Sequence, residues 1–174
     1  NGFLGSAVVR ALRARGHDVL ALVRTPASAP QEWAADAGIT LVRGDLRAPA
    51  AWAPAPATAQ VVVHLAAAKS GDFHEQFALT VGGTEQLLTA MHTAGVKRLV
   101  HISTFSVYDY TAPANGSVLD ETSPLEGHPT DRDEYAQVKL VQERLVRAFD
   151  GDVTIIRPGL IYGPGDTSSV RTTL

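Results

Sequence analysis

Apolar positions along the chain follow two spacings, which predict helices and strands in alternation. A helical spacing predicts helices over residues 5–15, 31–37, 72–94 and 133–149. Short apolar runs predict buried strands over residues 19–23, 39–42, 61–65, 98–103 and 153–156. Gly16 and Gly95 follow two of the helices, where glycine is a common C-terminal stop. The Ala/Pro-rich stretch 48–59 is expected to be a surface connection with one helical turn.

This alternation predicts an α/β fold with a doubly wound parallel sheet of the Rossmann-like kind. Strands that are apolar throughout are typical of parallel sheets covered by helices on both faces. Residues 1–174 are expected to form a single domain. Ligands of such domains bind at the carboxyl ends of the strands.

Composition narrows the classes of partner. The chain of 174 residues is 45% hydrophobic and 19% charged, as in a globular domain. A net charge of -3 gives no basic field for nucleic acid or an anionic membrane, so a small-molecule substrate is expected. The absence of cysteine and of a long apolar run favours a cytoplasmic protein without a membrane segment. The histidines are scattered without metal-ligand spacing, and we expect no metal.

A short glycine-rich motif, Gly2-Phe3-Leu4-Gly5, opens the first predicted helix. Glycines at a helix N-terminus let the backbone approach a pyrophosphate, which the positive helix end favours. We therefore predict that these four residues bind a dinucleotide cofactor. An ordinary glycine turn without a ligand is the alternative explanation.

Arg24 directly follows the first predicted strand. At this position an acidic residue would hold the adenosine ribose hydroxyls, whereas arginine accommodates a 2′-phosphate. Arg43, which follows the second predicted strand, is a candidate to assist. The expected cofactor is NADP in preference to NAD, although a solvated arginine at a strand end needs no ligand.

Three side chains form a candidate catalytic group. Tyr135 and Lys139 are four residues apart in a predicted helix and so share one face. A free tyrosine has a pKa of about 10, and a nearby ammonium would favour its phenolate. Thr104 follows the strand 98–103, where its hydroxyl could hydrogen-bond to a substrate carbonyl or alcohol. A partly buried tyrosine beside a solvated lysine, and a threonine that only caps the strand end, are the alternatives.

Taken together, these motifs resemble the NAD-dependent epimerase/dehydratase family, the extended short-chain dehydrogenases. The resemblance covers nearly the whole chain and rests on segments that occur in the family's order, namely residues 2–5, 44–46, 64–67, 103–108, 135–139 and 157–165. Thr80 departs from the pattern, because the family usually has asparagine there.

The resemblance implies a role for each matching position. Tyr135 would be the catalytic acid/base, Lys139 would hold ribose and lower the pKa of the tyrosine, and Thr104 would orient the substrate. The implied cofactor contacts are Gly2 and Gly5 at the pyrophosphate with Phe3 and Leu4 between them, Asp45 and Leu46 at the adenine, Leu65, Ala66 and Ala67 along the dinucleotide, and Pro158 at the nicotinamide. Tyr135 and Lys139 also belong to the implied cofactor-binding set. The family also often dimerises through helices corresponding to 72–94 and 133–149, which makes a homodimer possible.

The ends of the sequence suggest a piece of a longer protein. The chain starts within the glycine motif and stops before the region that closes the family's substrate pocket. We expect an N-terminally truncated domain with two unpaired strand edges and marginal stability.

Three functions fit these patterns. The leading one is an NAD(P)-dependent oxidoreductase that transfers hydride between the cofactor and a carbonyl or secondary alcohol. The second is a nucleotide-sugar epimerase or dehydratase that recycles bound NAD. The third is a non-catalytic NAD(P)-binding scaffold or sensor, since a fold does not determine a function.

Overall fold

The computed structural model describes residues 1–68, 70–111 and 116–164. Gly165, which ends the motif 157–165, lies outside these residues. The five strands are β1 (Val19–Val23), β2 (Ile39–Arg43), β3 (Val62–His64), β4 (Arg98–Ile102) and β5 (Asp152–Ile156). The α-helices are α1 (Phe3–Ala14), α2 (Gln31–Ala35), α3 (Phe73–Phe77), α4 (Gly83–Ala94) and α5 (Glu134–Arg147). The predicted alternation of helices and parallel strands is confirmed.

The long helix predicted over 72–94 is interrupted by a π turn. Asp72 caps α3 by accepting a hydrogen bond from the backbone of Glu75, and α4 ends at Gly95 with a left-handed φ of 71°. Between them the backbone of Ala78–Gly82 adopts π geometry. Two consecutive glycines at the end of this turn weaken the local preference for a regular α-helix. Gly83 is also required for packing, because an added Cβ would lie 2.9 Å from the Cβ of Leu46.

The strands form two parallel sheets rather than one continuous sheet. One sheet pairs β1 with β2, and the other has the order β3-β4-β5. Within the described residues, β1 and β3 each have an edge that pairs with no strand, as the sequence predicts. Such edges leave backbone N–H and C=O groups without ladder partners.

Apolar packing holds the two sheets together. One face of β1 and β2 packs on a small cluster that includes Val9 and Trp33. Their other face contributes Leu22 and Val42 to a larger cluster centred on Met91, which also contains residues of the second sheet. Burial of apolar surface therefore joins the sheets where backbone hydrogen bonds do not.

The connection 48–59 contains two short 3₁₀ turns, Pro49–Ala51 and Ala55–Thr58, instead of the single helical turn predicted. Proline lacks an N–H and fixes φ, so it starts such turns but does not continue them. Among the described residues, no helix is both long and apolar enough to cross a membrane.

Candidate active site

The carboxyl ends of β3, β4 and β5 meet at one edge of the second sheet, because these strands are parallel. Thr104 lies two residues beyond β4, and Pro158 lies two residues beyond β5. Leu65, Ala66 and Ala67 directly follow β3. The fold therefore brings these sequence-predicted positions to the edge where α/β proteins bind ligands.

Backbone hydrogen bonds fix Thr104 beside the segment that follows β5. Ser103 N donates to Ile156 O at 2.8 Å, and Phe105 N donates to Pro158 O at 2.8 Å. The Thr104 hydroxyl accepts a hydrogen bond of 3.2 Å from Ser106 N and thereby caps a 3₁₀ turn. The hydroxyl donates only a long hydrogen bond of 3.4 Å, to Ser106 Oγ, so its proton can be redirected towards a ligand.

Tyr135 lies in the first turn of α5. Asp133 caps this helix by accepting a hydrogen bond of 2.7 Å from Ala136 N, as its negative charge near the predicted N-terminus suggests. Burial raises the pKa of the Tyr135 phenol, and interaction with the Thr104 side chain offsets part of the rise. The Tyr135 phenol and the Thr104 hydroxyl are therefore neighbours at this edge of the sheet.

Lys139 lies one turn further along α5 and is only 2% exposed. Its ammonium donates to Ile102 O at 2.9 Å and to the side-chain oxygen of Gln142. Burial lowers the pKa of Lys139 to about 8, and the carboxylate of Glu143 opposes this shift. Lys139 therefore remains mainly protonated at neutral pH.

Glu143 is a buried carboxylate that the sequence analysis did not identify. It accepts hydrogen bonds from Ser103 Oγ at 2.6 Å and from Arg157 Nη2 at 2.6 Å, and it also pairs with Arg147. Burial alone would raise the pKa of Glu143, but the hydrogen bonds from Arg157, Ser103 and Arg147 hold it at about 2. The i+4 spacing from Lys139 was the available sequence signal. This cluster anchors α5 to β4 and to the segment that carries Pro158.

The glycine motif is open at the start of α1. Gly2 is the N-cap, and Phe3, Leu4 and Gly5 form the first turn. A Cβ added at Gly2 or Gly5 would meet no atom within 4 Å. Phe3 approaches the segment after β5, since a Cβ at Gly163 would lie 3.5 Å from its ring. The open backbone at this helix end leaves room for an anionic group such as a pyrophosphate.

Charged side chains cluster at the carboxyl ends of β1 and β2. Arg24 is exposed beyond β1, and Arg43 is the last residue of β2. Asp45 pairs with Arg47 at 2.7 Å, and its pKa is lowered to about 2, chiefly by hydrogen bonds from Arg47 and to a smaller extent by the charge of Arg24. Arg47 was not identified from the sequence.

Leu46 and the residues predicted to line the dinucleotide differ in how far they are exposed. The Leu46 side chain is 9% exposed and packs in the large apolar cluster, so its backbone is the part left for the predicted adenine contact. Ala66 is exposed, while Leu65 and Ala67 are partly buried. The predicted contacts thus extend from Arg24 on the first sheet to Tyr135 beside the second. This arrangement would fit a dinucleotide that crosses both sheets. Its arginines lie at the first sheet, the open glycine turn lies at the start of α1, and the hydroxyl groups lie at the second sheet.

His64, the last residue of β3, packs inside the protein. Its ring is 3% exposed, and its Nε2 lies 2.8 Å from Thr84 Oγ1. Burial, followed by the charge of Lys139, lowers the pKa of His64 to about 3, so the ring is neutral. Across the described part of the chain, no group of three or more potential ligand side chains is arranged to hold a metal ion.

The profile of the NAD dependent epimerase/dehydratase family matches residues 1–174. The chain belongs to this family. The family members to which it is similar include a 2-alkyl-3-oxoalkanoate reductase from Stenotrophomonas maltophilia, 35% identical over 97% of this chain and 51% of the relative. A 3 beta-hydroxysteroid dehydrogenase/Delta 5-->4-isomerase from Mycobacterium tuberculosis is 37% identical over 98% of this chain and 47% of the relative.

Solved structures of similar fold include NAD complexes. A short-chain dehydrogenase/reductase superfamily protein from Agrobacterium tumefaciens with bound NAD has a TM-score of 0.72 and 32% identity, over 90% of this chain and 46% of that chain. The Bordetella bronchiseptica enzyme WbmG, in complex with NAD and UDP, has a TM-score of 0.70 and 26% identity, over 90% of this chain and 49% of that chain. The chain of this family member thus spans about half the length of the relatives it matches.

Proposed function

We propose that this chain is the nucleotide-binding part of an NAD(P)-dependent oxidoreductase that acts on a carbonyl or secondary alcohol of a small-molecule substrate. The observation that carries the proposal is the common location of Thr104, Tyr135 and Lys139 at the carboxyl edge of the second sheet. Similarity to proteins named as reductases and dehydrogenases supports it.

Each of the three side chains has a role that its surroundings allow. The bound nicotinamide would supply the position that gives or takes hydride. Tyr135 would exchange a proton with the substrate oxygen, to which Thr104 would donate a hydrogen bond. Lys139, protonated at neutral pH, would hold ribose hydroxyls and favour the phenolate of Tyr135.

Replacement of Tyr135 by phenylalanine tests this mechanism in the full-length protein that contains the chain. Tyr135→Phe should lower kcat by a factor on the order of 100 to 10,000, because it removes general acid–base catalysis. Cofactor affinity, measured by titration calorimetry, should change little. Tyr110→Phe is the matched control, since Tyr110 is partly exposed and its ring contacts need no hydroxyl. Undiminished turnover in Tyr135→Phe would refute the mechanism.

We further propose that the cofactor is NADP in preference to NAD. Support comes from Arg24, exposed at the end of β1 and near enough to Asp45 to affect its pKa, with Arg43 on the neighbouring strand. Arg24→Ala should weaken NADPH binding about tenfold by loss of a charge-assisted hydrogen bond, with little effect on NADH. Arg98→Ala, which alters an exposed arginine at the opposite end of a strand, is the control. Equal loss for both cofactors would contradict the assignment.

A nucleotide-sugar epimerase or dehydratase with recycled NAD is the second candidate, favoured by the similarity to WbmG, whose structure holds NAD and UDP. Preference for NADH and a cofactor that stays bound through turnover would support it. Cofactor binding without any turnover would instead indicate the scaffold or sensor role.

A homodimer through α4 and α5 is also proposed. A shallow depression between the middle of α4 and the end of α5 is lined in part by Leu88, Leu145 and Phe149, which offer apolar surface to a second copy. Sedimentation velocity should show a dimer that Thr89→Arg, at the exposed rim of this depression, converts to monomer. A monomeric wild-type protein would contradict it.

A further inference from the structure

A buried hydrogen-bond network lies behind Lys139. Gln142 is 0% exposed and stands one turn after Lys139 on α5. Its side-chain oxygen accepts a hydrogen bond from the Lys139 ammonium. Because an ammonium is only a donor, the amide oxygen must face it, and the amide NH₂ group must face the opposite way.

The NH₂ group of Gln142 faces side chains of two other elements. Its Nε2 donates to Thr84 Oγ1 of α4 at 2.8 Å and lies 3.2 Å from the neutral ring of His64, at the end of β3. Longer contacts of 3.4 Å reach the carbonyl oxygens of Ala66 and Thr80. Partners on both ends of one amide leave Gln142 a single orientation.

We propose that Gln142 is a positioning residue that holds the Lys139 ammonium at the carboxyl end of β4 and fixes it to α4 and β3. The proposal rests on the proposed function, in which Lys139 acts on the cofactor and on Tyr135. The Thr80 side chain, at the position where the family usually has asparagine, takes no part in this network. Its hydroxyl accepts a hydrogen bond of 2.9 Å from Ala68 N.

An amide suits this task because it is neutral. A carboxylate at position 142 would form an ion pair and cancel the positive field of Lys139. The amide oxygen orients the ammonium but leaves its charge available to ribose hydroxyls. The nearby carboxylate, Glu143, is already engaged by Arg157, Arg147 and Ser103.

The ionisable groups around Lys139 come from three elements. His64 on β3 and His101 on β4 are neutral, since each has its pKa lowered to about 3, by burial first and then by the charge of Lys139. On α5 itself, Tyr135 lies one turn before Lys139, and Glu143 stabilises its charged form. Titration of Lys139 is therefore the direct readout of what Gln142 does.

The first experiment measures that titration without any activity assay. The full-length protein is labelled with ¹⁵N at the lysine side chains, and the Lys139 resonance is assigned by its loss in Lys139→Arg. Gln142→Leu removes the acceptor and should lower the Lys139 midpoint by about one pH unit, whereas Gln142→Glu adds a charge and should raise it by about one unit. Shifts in the same direction, or no shifts, would overturn the proposal.

Matched variants separate positioning from damage to the fold. Gln137→Leu makes the same change on the same helix, where the side chain of Gln137 donates to Arg132 O at 2.8 Å, and it should leave the Lys139 midpoint unchanged. Circular dichroism and thermal melting establish that each variant is folded. If Gln142→Leu does not fold, Gln142→Glu, which keeps the size of the side chain, still decides the direction of the shift.

Kinetics provide the second readout. Gln142→Leu should lower kcat about tenfold, and the alkaline limb of its pH profile should move to lower pH together with the Lys139 midpoint. A loss of kcat with an unmoved profile would mean a merely structural role and would overturn the proposal. If the wild-type protein shows no oxidoreductase activity, the proposed function fails, while the Lys139 titration still tests Gln142.

Discussion

The charged groups at the carboxyl ends of β1 and β2 reach solvent, whereas those between β4 and α5 are buried. In the first region the Arg47 and Asp45 side chains are 50% and 27% exposed. In the second the Arg157 and Glu143 side chains are 9% and 1% exposed. Water and salt screen the first pair, while the second depends on its fixed partners. The exposed region is suited to select a ligand by charge, and the buried region is suited to hold the proposed catalytic side chains in place.

The largest effect is expected from removal of the buried carboxylate. Glu143→Ala leaves Arg157 buried without its partner and should lower the free energy of unfolding by about 3–5 kcal/mol. Urea denaturation of the full-length protein measures this loss. Asp45→Ala, in the exposed region, should cost no more than about 1 kcal/mol. Similar losses in the two variants would erase the distinction between the regions.

Acid should reveal the same contrast. The pKa of Glu143 is about 2 when folded, below the ordinary 4.5 expected when unfolded. The unfolded state therefore binds more protons in this window, so the stability that Glu143 contributes is present above pH 4.5 and is lost as pH falls towards 2. Denaturation midpoints across this window should fall less steeply in Glu143→Gln than in wild type. An unchanged slope would contradict the assignment.

A smaller effect, of opposite sign, is expected at His101. Its ring is buried, and neither ring nitrogen has a hydrogen-bond partner among the described residues. His101→Leu removes these unsatisfied atoms and should raise the free energy of unfolding by about 1 kcal/mol at neutral pH. Chemical denaturation measures the gain. His64→Leu serves as the contrast, because it breaks the hydrogen bond to Thr84 and should be destabilising.

The smallest effect concerns a surface pair at the amino ends of the strands. Arg98 and Asp152 approach to 3.6 Å, with side chains 67% and 74% exposed. Arg98→Ala should change the free energy of unfolding by less than about 0.5 kcal/mol. A larger loss in the same denaturation assay would show that exposure alone does not separate weak pairs from strong ones in this protein.

Elements defined by local apolar pattern could be predicted closely. The predicted strand 19–23 has the same bounds as β1, because a short apolar run between polar neighbours is typical of a buried strand. The π turn Ala78–Gly82 was not predicted, since apolar spacing locates a helix but does not show which hydrogen bonds it makes. The sequence predicted two unpaired strand edges but did not predict that the strands separate into two sheets.

The candidate site divides in the same way. Tyr135 and Lys139 were recognisable because their spacing is local, and Thr104 because it follows a strand. Gln142 and Thr84 were missed, since they are 58 residues apart and become neighbours only when α5 packs on α4. A side chain whose role depends on contacts with residues distant in the chain gives no periodic signal in a single sequence.

The π turn before α4 restricts the insertions and deletions that the segment from α3 to α4 can accept. A π hydrogen bond spans one residue more than an α bond, so the turn is equivalent to a one-residue insertion. Removal of one residue would rotate α3 by about 100° relative to α4. The carbonyl of Thr80, which accepts hydrogen bonds from both Thr84 and Gln142, lies within this turn. A one-residue insertion or deletion is often harmless in a surface loop. During evolution of this protein, the same change at the π turn would alter the side chains that surround Lys139.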